Sequence, residues 1–136
     1  MSNEKQVTVI HPETMPKGFG YSHVVEAIGG RTIYISGQVP LDREGRIVGE
    51  GDLAAQTKQV FENVKAALTA AEASFDDVVK LTFFVTDITQ MQTVREIRDA
   101  YVNTENPPAS SAVEVRKLIK EEFFIEIEAI AVANAR

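Results

Sequence analysis

Two carboxylates near the C-terminus are the residues of this sequence best suited to chemistry. In the run Phe-Ile-Glu-Ile-Glu-Ala-Ile-Ala-Val at residues 124–132, strand alternation places Glu126 and Glu128 on one face and Ile125 and Ile127 on the other. The two carboxylates then lie roughly 7 Å apart along the strand. A carboxylate can accept a proton from water, and partial burial raises its pKa toward neutrality. The run is therefore a candidate site for general-base chemistry, with an interface ion pair as the alternative.

A proline-rich segment precedes this strand and must lead into another. It reads Asn-Pro-Pro-Ala-Ser-Ser-Ala-Val-Glu-Val over residues 106–115. Pro107 and Pro108 have a fixed φ and bias the residues before them away from the helical region. An extended loop is therefore expected before Ser110, followed by two β-rich runs that close the chain.

The composition predicts one globular domain over residues 1–136. The chain has 136 residues, 44% of them hydrophobic, and no cysteine. Disulfides, thiolate metal sites and thiol nucleophiles are thereby excluded. The two histidines are isolated, so neither a metal site nor a cofactor is predicted. No apolar run approaches the length of a leader or a membrane span, so a soluble cytoplasmic protein is expected.

The charge argues against nucleic acid as a partner. The formal net charge is −6, the sequence pI is about 4.9, and the basic residues are scattered. Proteins that neutralise phosphates carry a stripe of lysine and arginine instead. Non-specific nucleic-acid binding is disfavoured for this chain.

The apolar periodicity predicts the elements that must position these residues. A strand is expected over residues 6–10, then an extended run over 21–28 that Gly29-Gly30 joins to residues 31–35 as a hairpin. Asp52 can cap a helix from Leu53 to near residues 73–74, with a buried stripe at Val60, Phe61, Val64, Leu68 and Ala71.

A continuous apolar run over residues 78–85 predicts a strand covered on both faces. A second helix is expected from about Thr89, with a buried stripe at Met91, Val94, Ile97, Ala100 and Tyr101 and with Arg95 and Asp99 outside it. Because a helix buries its stripe only against something flat and apolar, both helices should pack on one face of a mixed sheet, an α+β fold.

Several of these segments together resemble the RidA/YjgF family of enamine/imine deaminases. The resemblance rests on the two C-terminal segments, on Ser-Gly-Gln-Val-Pro at residues 36–40 and on Lys-Leu-Thr-Phe-Phe-Val-Thr-Asp at residues 80–87. It runs from about Gly20 to Val132, in the family's order. It implies a small-molecule substrate and a homotrimer whose sheets form a central barrel with clefts between subunits.

The resemblance also implies roles for individual residues. Glu126 matches the glutamate that positions a water for attack on an imine carbon, whereas Glu128 is expected to be structural. Tyr21 matches the tyrosine of a Gly-Pro-Tyr-Ser segment whose proline is replaced here by Gly20, and its alternative is a core tyrosine. His23 stands where glutamine is common, and could act as acid or base or simply be a hydrogen-bonded residue. Ser36 and Gly37 can offer backbone N–H groups to a substrate oxygen or form a β-bulge.

One departure from the family pattern bears on the substrate. Ser110 stands where deaminating members carry an arginine that grips a substrate carboxylate, and Ala112 replaces a common cysteine. A serine hydroxyl supplies at most one neutral hydrogen bond, so losing the bidentate contact should cost on the order of 2 to 4 kcal/mol of binding. Efficient deamination of small 2-imino acids is therefore not expected.

Three functions are compatible with these residues. The first is a deaminase of imines that lack the usual carboxylate, or that hold it against another group such as His23 or Arg116. The second is a non-catalytic trimeric binder of small carbonyl or acid metabolites. The third, a ribonuclease, has the least support because the chain is acidic.

Overall fold

The computed structural model describes residues 4–136, and its six strands and two α-helices follow the expected order. The strands are β1 (Gln6–Ile10), β2 (Val24–Ile28), β3 (Arg31–Gln38), β4 (Val78–Val85), β5 (Ala109–Glu114) and β6 (Ile125–Ala133). The helices are α1 (Leu53–Ala70) and α2 (Met91–Arg98), and short 3-10 turns at Phe75–Asp77 and Ile88–Gln90 precede β4 and α2.

Four of the strands form a mixed sheet in the order β3-β6-β4-β5. Strands β4 and β5 are parallel, and β6 is antiparallel to both β3 and β4. Strands β1 and β2 form a separate antiparallel ribbon. Both helices pack on one face of the larger sheet, where their apolar side chains join those of β4 and β6 in one core. The predicted fold class is confirmed.

Helix α1 begins as expected and ends slightly early. The Asp52 side chain accepts a hydrogen bond from the Ala55 N–H at 3.1 Å and caps the first turn,. Val60, Phe61, Val64 and Leu68 are fully buried, as the periodicity predicts. The helix stops at Ala70, and Ala71 is only half-buried.

Helix α2 is shorter than the pattern suggested. It starts at Met91 because Ile88–Gln90 forms a 3-10 turn, and it ends at Arg98. Met91 and Val94 are buried, but Ala100 is exposed because it lies beyond the helix end and off the stripe. The buried position at this end of the helix is Arg98, which is 7% exposed.

A buried amide ties α1 to the start of β6. The Gln56 side chain donates to the backbone carbonyls of Gly49 and Glu122 and accepts from the N–H of Phe124 at 2.8 Å. A buried amide with three partners holds its neighbours firmly, because each unmade bond would leave a buried polar group unsatisfied. Gln56 therefore fixes the chain just before Glu126.

The predicted hairpin between β2 and β3 does not form, and that prediction is wrong. Ser22 is anchored at the opposite edge of the sheet: its N–H donates to the Pro108 carbonyl at 3.1 Å, and its hydroxyl donates to the Pro107 carbonyl at 2.5 Å. The chain therefore leaves the β5 edge as β2, pairs with β1, and reaches β3 through Gly29 and Gly30, whose φ values are 74° and 75°.

In the described part of the chain, neither helix is both long and apolar enough to cross a membrane.

Candidate functional site

Glu126 lies on the open face of the sheet, turned away from the helices. Its neighbours Ile125 and Ile127 are fully buried in the core between sheet and helices, so the intervening side chain points to the other face. Glu126 is half-buried and Glu128 is exposed. The predicted alternation of this strand is confirmed.

Gly37 provides the space that the Glu126 carboxylate occupies. The register between β3 and β6 shifts between Ile35 and Gln38, so Ser36 and Gly37 form a β-bulge, which the sequence offered as the alternative to an oxygen-binding site,. A Cβ on Gly37 would lie only 2.0 Å from Oε2 of Glu126. A side chain at position 37 would therefore displace the carboxylate.

The environment of Glu126 raises its pKa. Burial is the main cause, because it disfavours the charged form, and the negative charge of Glu128 acts in the same direction,. A carboxylate with a raised pKa is a stronger base once it has ionised. We refer to Ser36, Gly37 and Glu126 as the glutamate site.

Tyr21 and His23 lie outside the glutamate site, beside the loop that precedes β2. Nε2 of His23 is 2.7 Å from the Pro16 carbonyl oxygen. The two rings meet edge to face with centroids 5.2 Å apart, and both line a 660 Å³ cleft formed mainly by residues 11–21. The structure thus gives His23 a local hydrogen bond that holds this loop. Tyr21 is 36% exposed, so it is not a core tyrosine.

Ser110 and Ala112 face the helix side of β5. They pair in parallel register with Leu81 and Phe83, both buried in the core. Together with Tyr21 and α2 they line a cavity of 160 Å³. We refer to this cavity, with its wall residues Tyr21, Arg95, Arg98, Ser110 and Ala112, as the edge cavity.

Within one chain the glutamate site and the edge cavity are separate. Glu126 pairs with Phe84, which in turn pairs with Val113, so it lies three residues along the sheet from Ser110 and two strands away. Two strand spacings amount to roughly 10 Å, and the two side chains point to opposite faces. The structure therefore brings Ser36, Gly37 and Glu126 together, and Tyr21 with Ser110 and Ala112, but it does not bring these two groups together.

Sequence reasoning missed three residues that shape this region. Ser22 anchors the segment that presents Tyr21, as described above, while Arg95 and Arg98 of α2 line the edge cavity. Helical periodicity placed Arg95 outside the apolar stripe, but it gave no reason to bring either arginine next to Ser110. The replacement of the family's proline by Gly20 was the available signal, since a Cβ there would lie 2.3 Å from Nη2 of Arg98.

Residues 4–136 contain no group of three or more histidine, aspartate or glutamate side chains placed to hold a metal ion.

The sequence of this chain is similar to that of a known protein family and of several relatives. Residues 14–133 match the family described as endoribonuclease L-PSP. A RutC family protein of Pyrococcus abyssi is 42% identical over 124 residues, covering 90% of this chain and 94% of that protein. The 2-iminobutanoate/2-iminopropanoate deaminase of Salmonella typhimurium is 44% identical over 105 residues, covering 76% of this chain and 80% of that enzyme.

A solved structure shares the fold of this chain. The crystal structure of a Rid-family protein of unknown function from Yersinia pestis superposes with a TM-score of 0.83 at 40% identity, covering 93% of this chain and 98% of that one. The family match over residues 14–133 spans the four-stranded sheet, both helices and the residues of both parts of the site. The chain belongs to the RidA/YjgF family.

Proposed function

We propose that this protein is a hydrolytic deaminase of small enamine or imine metabolites, with Glu126 as the general base. The observation that carries the proposal is the half-buried Glu126 carboxylate, which has a raised pKa and lies against the bulge at Gly37. The match to a 2-iminobutanoate/2-iminopropanoate deaminase supports this reaction class.

The proposed reaction converts an imine and water into a carbonyl compound and ammonia. Glu126 accepts a proton from water as the water oxygen bonds to the imine carbon, and it passes this proton to the nitrogen, which gives a carbinolamine and regenerates the carboxylate. The carboxylate then accepts the hydroxyl proton and passes it to the amino nitrogen, so that the C–N bond breaks as the C=O bond forms and ammonia leaves. Backbone N–H groups at the Ser36-Gly37 bulge would stabilise the oxygen as charge develops on it.

We further propose that the working enzyme is a homotrimer with sites between subunits. The open sheet face exposes apolar side chains that a partner could cover: Tyr34 is 77% exposed and Val113 is 44% exposed. The separation of the glutamate site from the edge cavity also supports an intersubunit site. A cleft that joins the glutamate site of one subunit to the edge cavity of its neighbour would contain both.

The substrate preference should differ from that of relatives with an arginine at position 110. Ser110 can offer one neutral hydrogen bond, whereas a guanidinium offers a charged bidentate contact. We therefore propose an atypical imine substrate that does not depend on a cation from β5.

A non-catalytic trimeric binder of small carbonyl or acid metabolites is the second candidate. It is favoured by the substitutions at Ser110 and Ala112, which alter the binding wall without touching Glu126. A ribonuclease has weaker support, because the net charge of −6 repels a polyanion,.

Turnover of 2-iminobutanoate separates the enzyme from the binder. The imine is generated in situ by an amino-acid oxidase, and its decay is compared with the uncatalysed rate. Wild type is expected to accelerate the decay less efficiently than relatives with an arginine at position 110, and Glu126→Gln should lower kcat at least a hundredfold, since general-base catalysis contributes about 10²- to 10⁴-fold. The variant should keep its melting temperature, because a neutral amide avoids the burial cost of the charge. If the wild type accelerates the hydrolysis of no imine, the non-catalytic binder becomes the better interpretation.

A further inference from the structure

We infer that helix α2 supplies the cationic anchor that β5 lacks: Arg98 and Arg95 form a carboxylate-binding site in the edge cavity. The inference rests on the proposed function for its substrate class, an imine that carries a carboxylate. In this site the two arginines bind the carboxylate from the α2 wall of the edge cavity, opposite the β5 wall that contains Ser110.

The edge cavity has the charge of an anion site. Within residues 4–136 its wall contains two arginines and no acidic side chain. Arg95 is exposed and makes no ion pair with any described residue. Among residues 4–136, Arg98 forms an ion pair only with Asp99, so Arg95, Arg98 and Asp99 together carry one net positive charge beside the cavity.

Arg98 is held in position before any ligand arrives. It is 7% exposed, its Nε donates to Oδ1 of Asp99 at 3.0 Å, and its Nη2 lies 2.9 Å from the same oxygen in an ion pair. Among the described residues, Nη1 has no hydrogen-bond partner of its own. Because Asp99 already fixes the orientation of this buried guanidinium, its remaining N–H donors can bind a carboxylate with little further loss of side-chain entropy.

Gly20 is the residue that lets Arg98 reach the cavity. Gly20 has a φ of 76°, which a proline cannot adopt, and a Cβ there would lie 2.3 Å from Nη2 of Arg98. A side chain at position 20 would therefore displace the Arg98 guanidinium from its present position. The chain departs from the family pattern at Gly20 and at Ser110, and Arg98 contacts the first and lines the same cavity as the second.

The cavity also has a suitable size. Its volume of 160 Å³ equals the liquid volume of about five water molecules. That space accommodates a carboxylate with a few carbon atoms, and the Tyr21 and Met91 side chains form apolar parts of the wall.

Binding of a stable carboxylate tests the inference without turnover. NMR titration with 2-oxobutanoate and with the neutral ketone butanone measures anion-dependent affinity. Wild type should bind 2-oxobutanoate and bind butanone weakly. Arg98→Gln should weaken 2-oxobutanoate binding tenfold to a hundredfold, as expected for loss of a charge-assisted contact, and should leave butanone unchanged. Arg95→Gln should weaken it less, because its guanidinium is exposed.

Controls separate this site from a general loss of charge or fold. Arg46→Gln removes a surface arginine that pairs with Asp42 far from the cavity, and it should leave binding unchanged. Should Arg98→Gln fail to fold, Arg95→Gln still tests the site because it changes an exposed side chain. Adding Ser110→Arg to Arg98→Gln should restore affinity, since the new guanidinium enters the same cavity from β5.

The outcomes also distinguish the inference from the proposed function. Wild type that binds 2-oxobutanoate through these arginines but hydrolyses no imine would support the site and overturn the deaminase. Wild type that hydrolyses imines while both arginine variants bind 2-oxobutanoate normally would overturn the site and leave the deaminase standing. Failure of wild type to prefer the anion over butanone would also overturn the site.

Discussion

The glutamate site and the edge cavity are built in different ways. Glu126 lies in the sheet interior, where two ladders and the bulge at Gly37 fix its position. The wall of the edge cavity is assembled from the loop before β2, from α2 and from the edge strand β5. The position of Glu126 is therefore set by strand register, whereas the edge cavity also depends on how a loop and a short helix pack. We propose that the carboxylate follows the family pattern at Glu126, while the wall of the edge cavity departs from that pattern at Ser110 and Ala112.

Gly37→Ala tests how tightly the sheet holds the carboxylate, and it should have the largest effect. The new Cβ would lie 2.0 Å from Oε2 of Glu126, so the carboxylate must move away. A misplacement of about 1 Å can cost on the order of a hundredfold in rate. We expect a loss of kcat of that size for 2-iminobutanoate hydrolysis, with little change in 2-oxobutanoate affinity.

The control is Gly45→Ala, because a Cβ at Gly45 meets no atom within 4 Å. Gly45 has a positive φ of 80°, whereas Gly37 does not lie in the positive-φ region, so the control also shows how much backbone strain at a glycine costs without any contact with Glu126. Normal activity in Gly37→Ala would show that Gly37 does not position Glu126.

Ser110→Arg tests whether the binding wall of the edge cavity is adjustable. A guanidinium on β5 adds a charged contact for the carboxylate of 2-iminopropanoate. Because Arg98 is proposed to supply part of this contact already, we expect a gain of about tenfold in kcat/KM, equivalent to ~1.4 kcal/mol. Steady-state kinetics measure it. A fall in kcat/KM would mean that the cavity has no room for a second anchor.

The pH dependence gives the smallest expected effect. The base must be ionised, so activity falls as the pH drops through the pKa of Glu126, which lies above the usual value for a glutamate. The charge of Glu128 contributes to that rise, so Glu128→Gln should move the acidic limb of the kcat profile to lower pH. If the acidic limb of the kcat profile does not move in Glu128→Gln, burial alone raises the pKa of Glu126.

The fold could largely be predicted from the sequence because its signals are local. The alternation in β6, the Asp52 cap and the stripe of α1 each depend on residues close in the chain. The β2–β3 hairpin was predicted wrongly because Gly29-Gly30 is a local turn signal, and the anchoring of Ser22 to Pro107 and Pro108 is a contact across 85 residues.

The glutamate site could be predicted from the sequence to a greater extent than the edge cavity. Glu126 and Gly37 were named from motifs, and their contact follows from one bulge between neighbouring strands. The meeting of Arg98, Gly20 and Ser110 depends on where α2 packs against β5. No pattern in a single helix reports that packing, so the positive charge of the edge cavity emerged only from the structure.

A complementation experiment tests most directly whether the glutamate site and the edge cavity work together across subunits. Glu126→Gln and Arg98→Gln protomers, each with low activity alone, are mixed under conditions of subunit exchange and assayed for 2-iminobutanoate hydrolysis. Mixed oligomers should regain activity, because some interfaces then pair an intact Glu126 with an intact Arg98 from the neighbouring subunit. Activity that stays at the average of the two variants after exchange would contradict the account.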